Sequence, residues 1–186
     1  MPARLSREQV VPVIRDVFRR HGYDGASLAV ISDATGLGRA SLYHHFPGGK
    51  EEMAEAALED VAAMIDGRII TALRRREEPP EARLAAMAKE LMEFHEGGRA
   101  ACLCGVLALT AAPLRPQVRA IFERWLAALA DLAREAGMAR VQAGEAGEEA
   151  LARIEGALIL AASQDSPKPF RHALRDLPRI LLRVAP

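Results

Sequence analysis

The sequence predicts an all-α protein of nine helices, three in an N-terminal helix-turn-helix and six in a larger second part. Half of the 186 residues are hydrophobic but only 4% are aromatic, and Ala, Leu, Arg and Glu dominate, a composition typical of helical proteins. Apolar residues recur at helical spacing, and Gly or Pro residues separate the periodic segments. The chain is long enough to bury a hydrophobic core.

The first two helices have recognisable ends in the sequence. The first is predicted over about residues 7–21, where Ser6 can cap the start and Gly22 can end the helix. The second follows Ser27, which is also a capping residue. It ends at Gly36, because glycine readily adopts the positive φ of a helix C-cap.

The third predicted helix begins near Gly38, stops before Pro47 and carries groups suited to a DNA groove on its outer face. Leu42 and Phe46 lie on its inner face, and the short turn before it completes a helix-turn-helix pattern. The same spacing would also suit a helical corner with a solvated face. Guanidinium, methyl, hydroxyl and imidazole groups can contact base edges or phosphates. We expect DNA contacts from Arg39, Ala40, Ser41, Tyr43 and His44.

The distribution of charge favours DNA binding, although the whole chain has no net charge. Residues 1–50 contain seven Lys or Arg and four Asp or Glu, a net charge of +3, and the remainder carries −3. The basic end therefore coincides with the helix-turn-helix, as binding to phosphates requires.

Six further helices are predicted after Pro47. The fourth is long, about 27 residues or roughly 40 Å, and Glu77-Glu78-Pro79-Pro80 marks the clearest break after it. The Gly- and Glu-rich stretch 143–147 is predicted to be a loop. Helices four to nine are expected over about residues 49–76, 81–96, 102–112, 118–136, 148–163 and 169–184.

The N-terminal part resembles the DNA-binding domain of TetR-type transcriptional regulators. The resemblance rests on residues 27–29, the run ATGLGRASLYHHF at 34–46, and Lys50-Glu51. It implies an all-helical homodimer, in most members a repressor, whose partners are a double-stranded DNA operator and a small-molecule inducer. The expected domains are 1–47 for DNA binding and 48–186 for ligand binding and dimerisation.

Carried over by position, the resemblance assigns roles to individual residues. Ser27, Tyr43 and Lys50 would contact phosphates, whereas Arg39, Ala40 and His44 would face base edges. Gly38 departs from the family pattern, because many members have a polar capping residue there. The last two helices would form the dimer interface, with candidates Ala152, Gly156, Ile159, Leu160, Phe170, Leu174, Leu177 and Leu181.

The resemblance also implies an inducer pocket among helices four to eight, and the sequence places adaptable methionines and large aromatic residues in those segments. Such a pocket suits a hydrophobic compound, with His95 and Gln164 as polar anchors. Each candidate is of a type that more often belongs to the plain core than to a ligand site. The pocket candidates are Met64, Met87, Met92, His95, Phe122, Trp125 and Gln164.

Two alternatives remain open at this stage. Cys102 and Cys104 suit small buried apolar positions, but a thiol- or redox-responsive regulator is the alternative, since Arg99 could lower a thiol pKa. Their two-residue spacing is a weak zinc signal, so no metal is expected. The second alternative is a dimeric helical interaction module whose helix-turn-helix serves packing only.

Several functional classes are disfavoured by the absence of their motifs. The sequence contains no Gly-rich phosphate loop, HExxH or G-x-S-x-G, so we expect neither an enzyme nor a bound cofactor. No stretch of 18 apolar residues and no signal-peptide pattern occurs. A cytoplasmic protein without a membrane partner is therefore expected.

Overall fold

The computed structural model describes residues 6–182, and these fold into nine helices, as predicted. Helix α4 continues without a break from an α-helical segment, Gly49–Met64, through a π-helical segment, Ile65–Ile70, to a last turn, Thr71–Leu73. The other helices are α1 Arg7–Gly25, α2 Leu28–Thr35, α3 Arg39–His45, α5 Pro80–Phe94, α6 Leu103–Thr110, α7 Arg115–Glu135, α8 Arg140–Ser163 and α9 Lys168–Leu181.

The described residues form two compact units. The N-terminal unit comprises the chain up to Ala63 together with Leu103–Val118, and the C-terminal unit comprises Met64–Cys102 together with the chain from Arg119 onward. Helix α6 therefore belongs to the same unit as the first three helices. The predicted functional division between residues 47 and 48 stays a prediction.

The core of the N-terminal unit follows the predicted periodicity. Helix α1 starts with a capping box, in which Ser6 Oγ accepts from the Gln9 amide and Gln9 Oε1 accepts from the Ser6 amide. Its apolar face is buried, and the regular helical conformation is interrupted at Gly22, as predicted, before a further turn that reaches Gly25. The buried residues of this face are Val10, Ile14, Val17 and Phe18.

Helix α6 packs against the C-terminal end of α1. The Tyr23 amide donates to Thr110 Oγ1 at 3.2 Å. Gly22 has a φ of 66°, and a Cβ there would lie 3.5 Å from Thr110 Cγ2. The close approach and the positive φ together explain why glycine occupies this kink.

The prediction of a loop over 143–147 is wrong, because α8 begins at Arg140 and runs through this stretch to Ser163. Gly147 lies where α8 crosses α7. A Cβ at this position would lie 3.4 Å from the Leu126 carbonyl oxygen and 3.5 Å from the Ala130 amide nitrogen. The glycine therefore serves close packing between helices, which a composition pattern does not distinguish from a loop.

A buried arginine defines the end of α4. Arg83, on α5, donates through Nε to the Leu73 carbonyl oxygen at 2.6 Å and also pairs with Glu135 of α7. The hydrogen bond from Arg83 lowers the pKa of the Glu135 carboxyl. Helix α4 consequently ends at Leu73, three residues before the predicted end.

Among residues 6–182, no helix is both long enough and apolar enough to cross a lipid bilayer.

Candidate nucleic-acid interface

The turn between α2 and α3 is held by side chains on both sides of Gly36. Thr35 Oγ1 donates to the Ile31 carbonyl at 2.7 Å and accepts from the Leu37 amide at 3.3 Å. Ser32 Oγ donates to the Leu37 carbonyl at 2.6 Å. Gly36 adopts a φ of 68° with open space around its Cα, so its backbone conformation alone requires glycine.

Ser32 and Thr35 were not singled out by the sequence analysis. The available signal was a pair of hydroxyl residues in the last turn before a C-cap glycine, where such side chains bond to local backbone groups. These bonds hold the relative orientation of α2 and α3.

Helix α3 presents one apolar face inward and one polar face outward. Leu42 and the following Phe46 are fully buried. The N-cap, Gly38, makes no side-chain hydrogen bond. All five sequence-predicted contact residues on this helix are exposed: Arg39, Ala40, Ser41, Tyr43, at 47% exposure, and His44.

Ser27 and Lys50 lie outside α3, and both already have partners within the protein. Ser27 Oγ caps α2 by accepting from the Val30 amide at 3.3 Å, which leaves its hydroxyl proton available to a phosphate. Lys50 Nζ donates to the Tyr23 carbonyl at 3.0 Å and lies 4.5 Å from the centre of the Tyr23 ring. An ammonium has two further protons for an anion.

Tyr23 connects this lysine to the helical core. Its ring stacks on Phe18 with centroids 6.0 Å apart. Burial raises the pKa of the Tyr23 phenol, and the nearby carboxylates of Glu51 and Asp24 raise it further. The Tyr23 phenol therefore stays neutral at physiological pH. The Tyr23 carbonyl and ring together hold the Lys50 ammonium at the beginning of α4.

The start of α4 is fixed against α3 and α1 as well. Arg7 lies 4.8 Å from the centre of the Phe46 ring and pairs with Glu52 at 3.2 Å. Glu52 also accepts from the Gly48 amide at 2.8 Å. Further along α1, Arg15 pairs with Asp60 of α4 at 2.7 Å. These contacts connect α1, α4 and the end of α3, so the exposed face of α3 has a rigid support.

A short, exposed helix that follows a tight left-handed turn and carries Arg39, Ser41 and His44 outward is the arrangement of helix-turn-helix DNA-binding proteins. Comparison with known proteins gives the family. Residues 13–57 match the family described as bacterial regulatory proteins, tetR family, and residues 80–176 match the C-terminal domain of LmrA/YxaF-like transcriptional regulators. The chain belongs to the TetR family of transcriptional regulators.

Relatives and solved structures agree with this assignment. The HTH-type transcriptional regulator LmrA of Bacillus subtilis is 29% identical over 184 residues, which cover 96% of this chain and 97% of LmrA. The HTH-type transcriptional repressor AcnR of Corynebacterium efficiens is 36% identical over 81 residues, 41% of this chain and 43% of AcnR. A TetR transcriptional regulator from Legionella pneumophila superposes with a TM-score of 0.85 at 17% identity, covering 97% of this chain and all of that chain.

The predicted resemblance and the predicted fold class are thus confirmed. TetR-family proteins are transcriptional regulators and not enzymes, so the expected non-enzymatic function is confirmed through the family. The DNA-contact, pocket and interface residues remain predictions.

The predicted pocket residues do not share one cavity. Met92 lines an open groove of about 820 Å³ between α5 and α9, and Gln164 lines a depression of about 620 Å³ between α8 and α9. Met87 and Trp125 are buried, whereas Met64 and Phe122 are half-buried.

His95 is buried in a local network. Its Nδ1 lies 2.9 Å from the Ala100 carbonyl oxygen, so this nitrogen carries the proton and donates. Its ring packs edge-on against Phe94 and Phe170, at centroid distances of 4.7 and 5.5 Å. The imidazole therefore holds the turn over residues 95–100 to the start of α9.

The predicted dimer-interface residues divide into two groups. On α8, Ile159 and Leu160 are large apolar side chains with 67% and 51% of their surface exposed. Ala152 is exposed and Gly156 is half-buried on the same helix. The α9 candidates instead lie in the core of the C-terminal unit: Phe170, Leu174, Leu177 and Leu181.

Glu155 is half-buried, and the sequence analysis missed its buried carboxyl oxygen. Its Oε1 is fully buried and has no hydrogen-bond partner among the described residues. Burial raises the pKa of its carboxyl to about 7, and a hydrogen bond with Cys102 opposes part of that rise. A signal was available, because Leu151 and Leu158 lie at helical spacing from Glu155 and so share its side of the helix.

Both cysteines are buried, and neither forms a disulfide bond. Cys102 belongs to the C-terminal unit and Cys104 to the N-terminal unit. Within residues 6–182, no group of three or more His, Cys, Asp or Glu side chains is arranged to hold a metal ion.

Proposed function

We propose that this protein is a dimeric repressor that binds a pseudo-palindromic operator through the outer face of α3. The observation that carries the proposal is the exposed set of Arg39, Ala40, Ser41, Tyr43 and His44 on a rigidly supported helix. AcnR, a relative over part of the chain, is described as a repressor. In a dimer, two α3 helices would enter successive major grooves about 34–36 Å apart.

The dimer is proposed to form through α8. Ile159 and Leu160 present apolar side chains on one exposed stretch of this helix, and Gly156 beside them has open space where a side chain would be. Large exposed apolar residues close together favour an interface, and small residues allow helices to approach closely. A symmetric pair of such surfaces would bury both patches.

Release from the operator is proposed to follow the binding of a small hydrophobic inducer in the C-terminal unit. Trp125 Nε1 and Glu155 Oε1 are buried and lack hydrogen-bond partners among the described residues. The indole nitrogen could donate to a polar group of a ligand, and the carboxyl oxygen could accept from one. The inducer must bind the conformation whose α3 spacing does not fit the operator more tightly than the conformation that binds DNA. A ligand with equal affinity for both conformations would not shift the equilibrium between them.

The proposal is tested by selecting genomic fragments with the purified protein at low and near-physiological salt. A common pseudo-palindrome that is retained at the higher salt supports a sequence-specific regulator. Recovery of unrelated fragments, with all binding lost as salt rises, would indicate non-specific attraction to phosphates and would refute operator recognition.

We predict that Arg39→Ala weakens binding to the selected operator by about 2 kcal/mol and reduces discrimination at one base pair in each half-site. The physical reason is the loss of a bidentate guanidinium contact with a base edge. Affinities for operators with every single-base change are measured by fluorescence anisotropy. Arg20→Ala, an exposed arginine on α1, is the matched control. If Arg39→Ala lowers the affinity by the same factor for every operator sequence, Arg39 does not contact a base edge.

We predict that Leu160→Glu weakens dimerisation by about 2 kcal/mol, because it places a charge in an apolar interface. Sedimentation equilibrium measures the monomer–dimer constant. Val141→Glu is the control, since Val141 is 73% exposed near the other end of the same helix. If wild type and Leu160→Glu have equal monomer–dimer dissociation constants, Leu160 of α8 does not lie in the dimer interface.

A further inference from the structure

An open groove of about 820 Å³ with an apolar floor lies between helices α5 and α9. Leu84, Ala88 and Met92 follow one another at four-residue spacing, so they form one stripe along α5. Leu174 of α9 continues this floor from the other side. We call this feature the α5–α9 groove. Its volume is in the range typical of small-molecule sites.

The rim of the α5–α9 groove is strongly positive. Four exposed cations line it: Lys89 on α5, and Lys168, Arg171 and Arg175 on α9. Glu81 is the one carboxylate among its lining residues, so the rim carries a net charge of +3 with histidine neutral. None of these four cations forms an ion pair within residues 6–182.

Three other arginines of the same unit are paired with carboxylates. Arg68 contacts Glu90 and Glu93, and Arg124 donates to the Asp66 carboxylate through Nε and Nη2. Arg153 pairs with Asp176 of α9, and neither residue lines the groove. The positive potential of the groove is therefore uncompensated, and an anion bound there would relieve repulsion among its cations.

We propose that the α5–α9 groove binds an amphipathic anion, a free carboxylate with an unbranched apolar chain. The chain would lie on the floor formed by Leu84, Ala88 and Met92, where burial of methylene groups is favourable. The carboxylate would bind Arg171 or Arg175, because a guanidinium matches its two oxygens. This ligand class is identified by the combination of an apolar floor and unpaired cations.

A second copy of this chain fits the groove less well. In a symmetric dimer the same surface meets itself, and four cations with one carboxylate would face an identical set of charges. Like-charge juxtaposition across an interface is unfavourable. The exposed apolar residues Ile159 and Leu160 lie on α8, outside the groove lining.

The test is direct binding of dodecanoate to the purified full-length protein, measured by isothermal titration calorimetry below the micelle concentration. Dodecanol and dodecyltrimethylammonium have the same chain without the negative charge. We expect saturable binding of dodecanoate, and at least about tenfold weaker binding of both analogues. Raising the salt concentration should weaken dodecanoate binding further.

Two variants separate the contributions of charge and of the apolar floor. Arg171→Glu combined with Arg175→Glu should lower the affinity for dodecanoate by about tenfold or more. Ala88→Trp should block binding by filling the floor. Arg179→Glu is the control, because Arg179 is exposed on α9 but does not line the groove. Circular dichroism melts establish that each variant is folded.

Several results would overturn the proposal. These are no saturable binding of dodecanoate, equal affinity for the cationic analogue, or equal losses in Arg179→Glu and the double variant. A change in oligomeric state caused by Ala88→Trp, without dodecanoate binding to wild type, would assign the groove to a second copy. Binding is measured without DNA, so failure here leaves operator recognition untouched.

Discussion

We expect Gly98→Ala to lower the free energy of unfolding by about 4 kcal/mol. Gly98 adopts a φ of 98°, and a Cβ at this position would lie 2.7 Å from Phe170 Cβ. The colliding atom is a Cβ and not a flexible side-chain end, so either the 95–100 turn or the start of α9 must move. Chemical denaturation measures the change, and the melting temperature should fall by roughly 10 °C.

The matched control for this prediction is Gly137→Ala. Gly137 has a φ of 95°, and a Cβ there would have open space around it. This variant therefore carries only the backbone strain of a left-handed alanine, about 1 kcal/mol. If both substitutions destabilise the protein equally, close packing of Gly98 against Phe170 is not the cause.

We expect Glu155→Gln to remove most of the loss of stability that the wild type shows between pH 5 and pH 8. The folded pKa of Glu155 is about 7, above the ordinary value of 4.5, because burial disfavours the charged carboxylate. As pH rises from about 4.5 to 7, the unfolded chain releases this proton before the folded protein does. The free energy of unfolding therefore falls by about 3 kcal/mol over that interval and stays level above it.

Urea denaturation of wild type and Glu155→Gln at pH 5 and pH 8 measures this contribution. The variant should be relatively more stable at pH 8, since glutamine cannot ionise. Glu149→Gln, an exposed position on the same helix, is the control and should follow the wild type. Parallel pH dependence of Glu155→Gln and wild type would contradict the proposed ionisation of a buried carboxyl.

The outward face of α3 was predictable because its determinants are local. Spacing placed Leu42 and Phe46 inward, and helical geometry then required Arg39 and His44 to point outward. The bond from Lys50 to the Tyr23 carbonyl was not predictable, since it joins residues 27 positions apart in sequence. Its partner is a backbone oxygen, which carries no sequence signature.

The role of the predicted pocket residues, in contrast, could not be predicted from the sequence. Large apolar residues such as Met87 and Trp125 have the same sequence pattern whether they line a pocket or fill a core. Burial by neighbouring helices decides between these roles. The α5–α9 groove likewise depends on which faces of two helices, more than 70 residues apart in the chain, lie beside each other.

By itself, the sequence determined the helical class, the helix-turn-helix with its glycine turn and the family, because capping, periodicity and motif spacing are short-range properties. Tertiary structure alone decided three features. Helix α8 extends back through Gly147 because α7 approaches its backbone closely. One carboxyl oxygen of Glu155 is buried and has no hydrogen-bond partner among residues 6–182. The cations beside α5 form one rim because α9 packs there, and such juxtapositions arise only when distant segments meet.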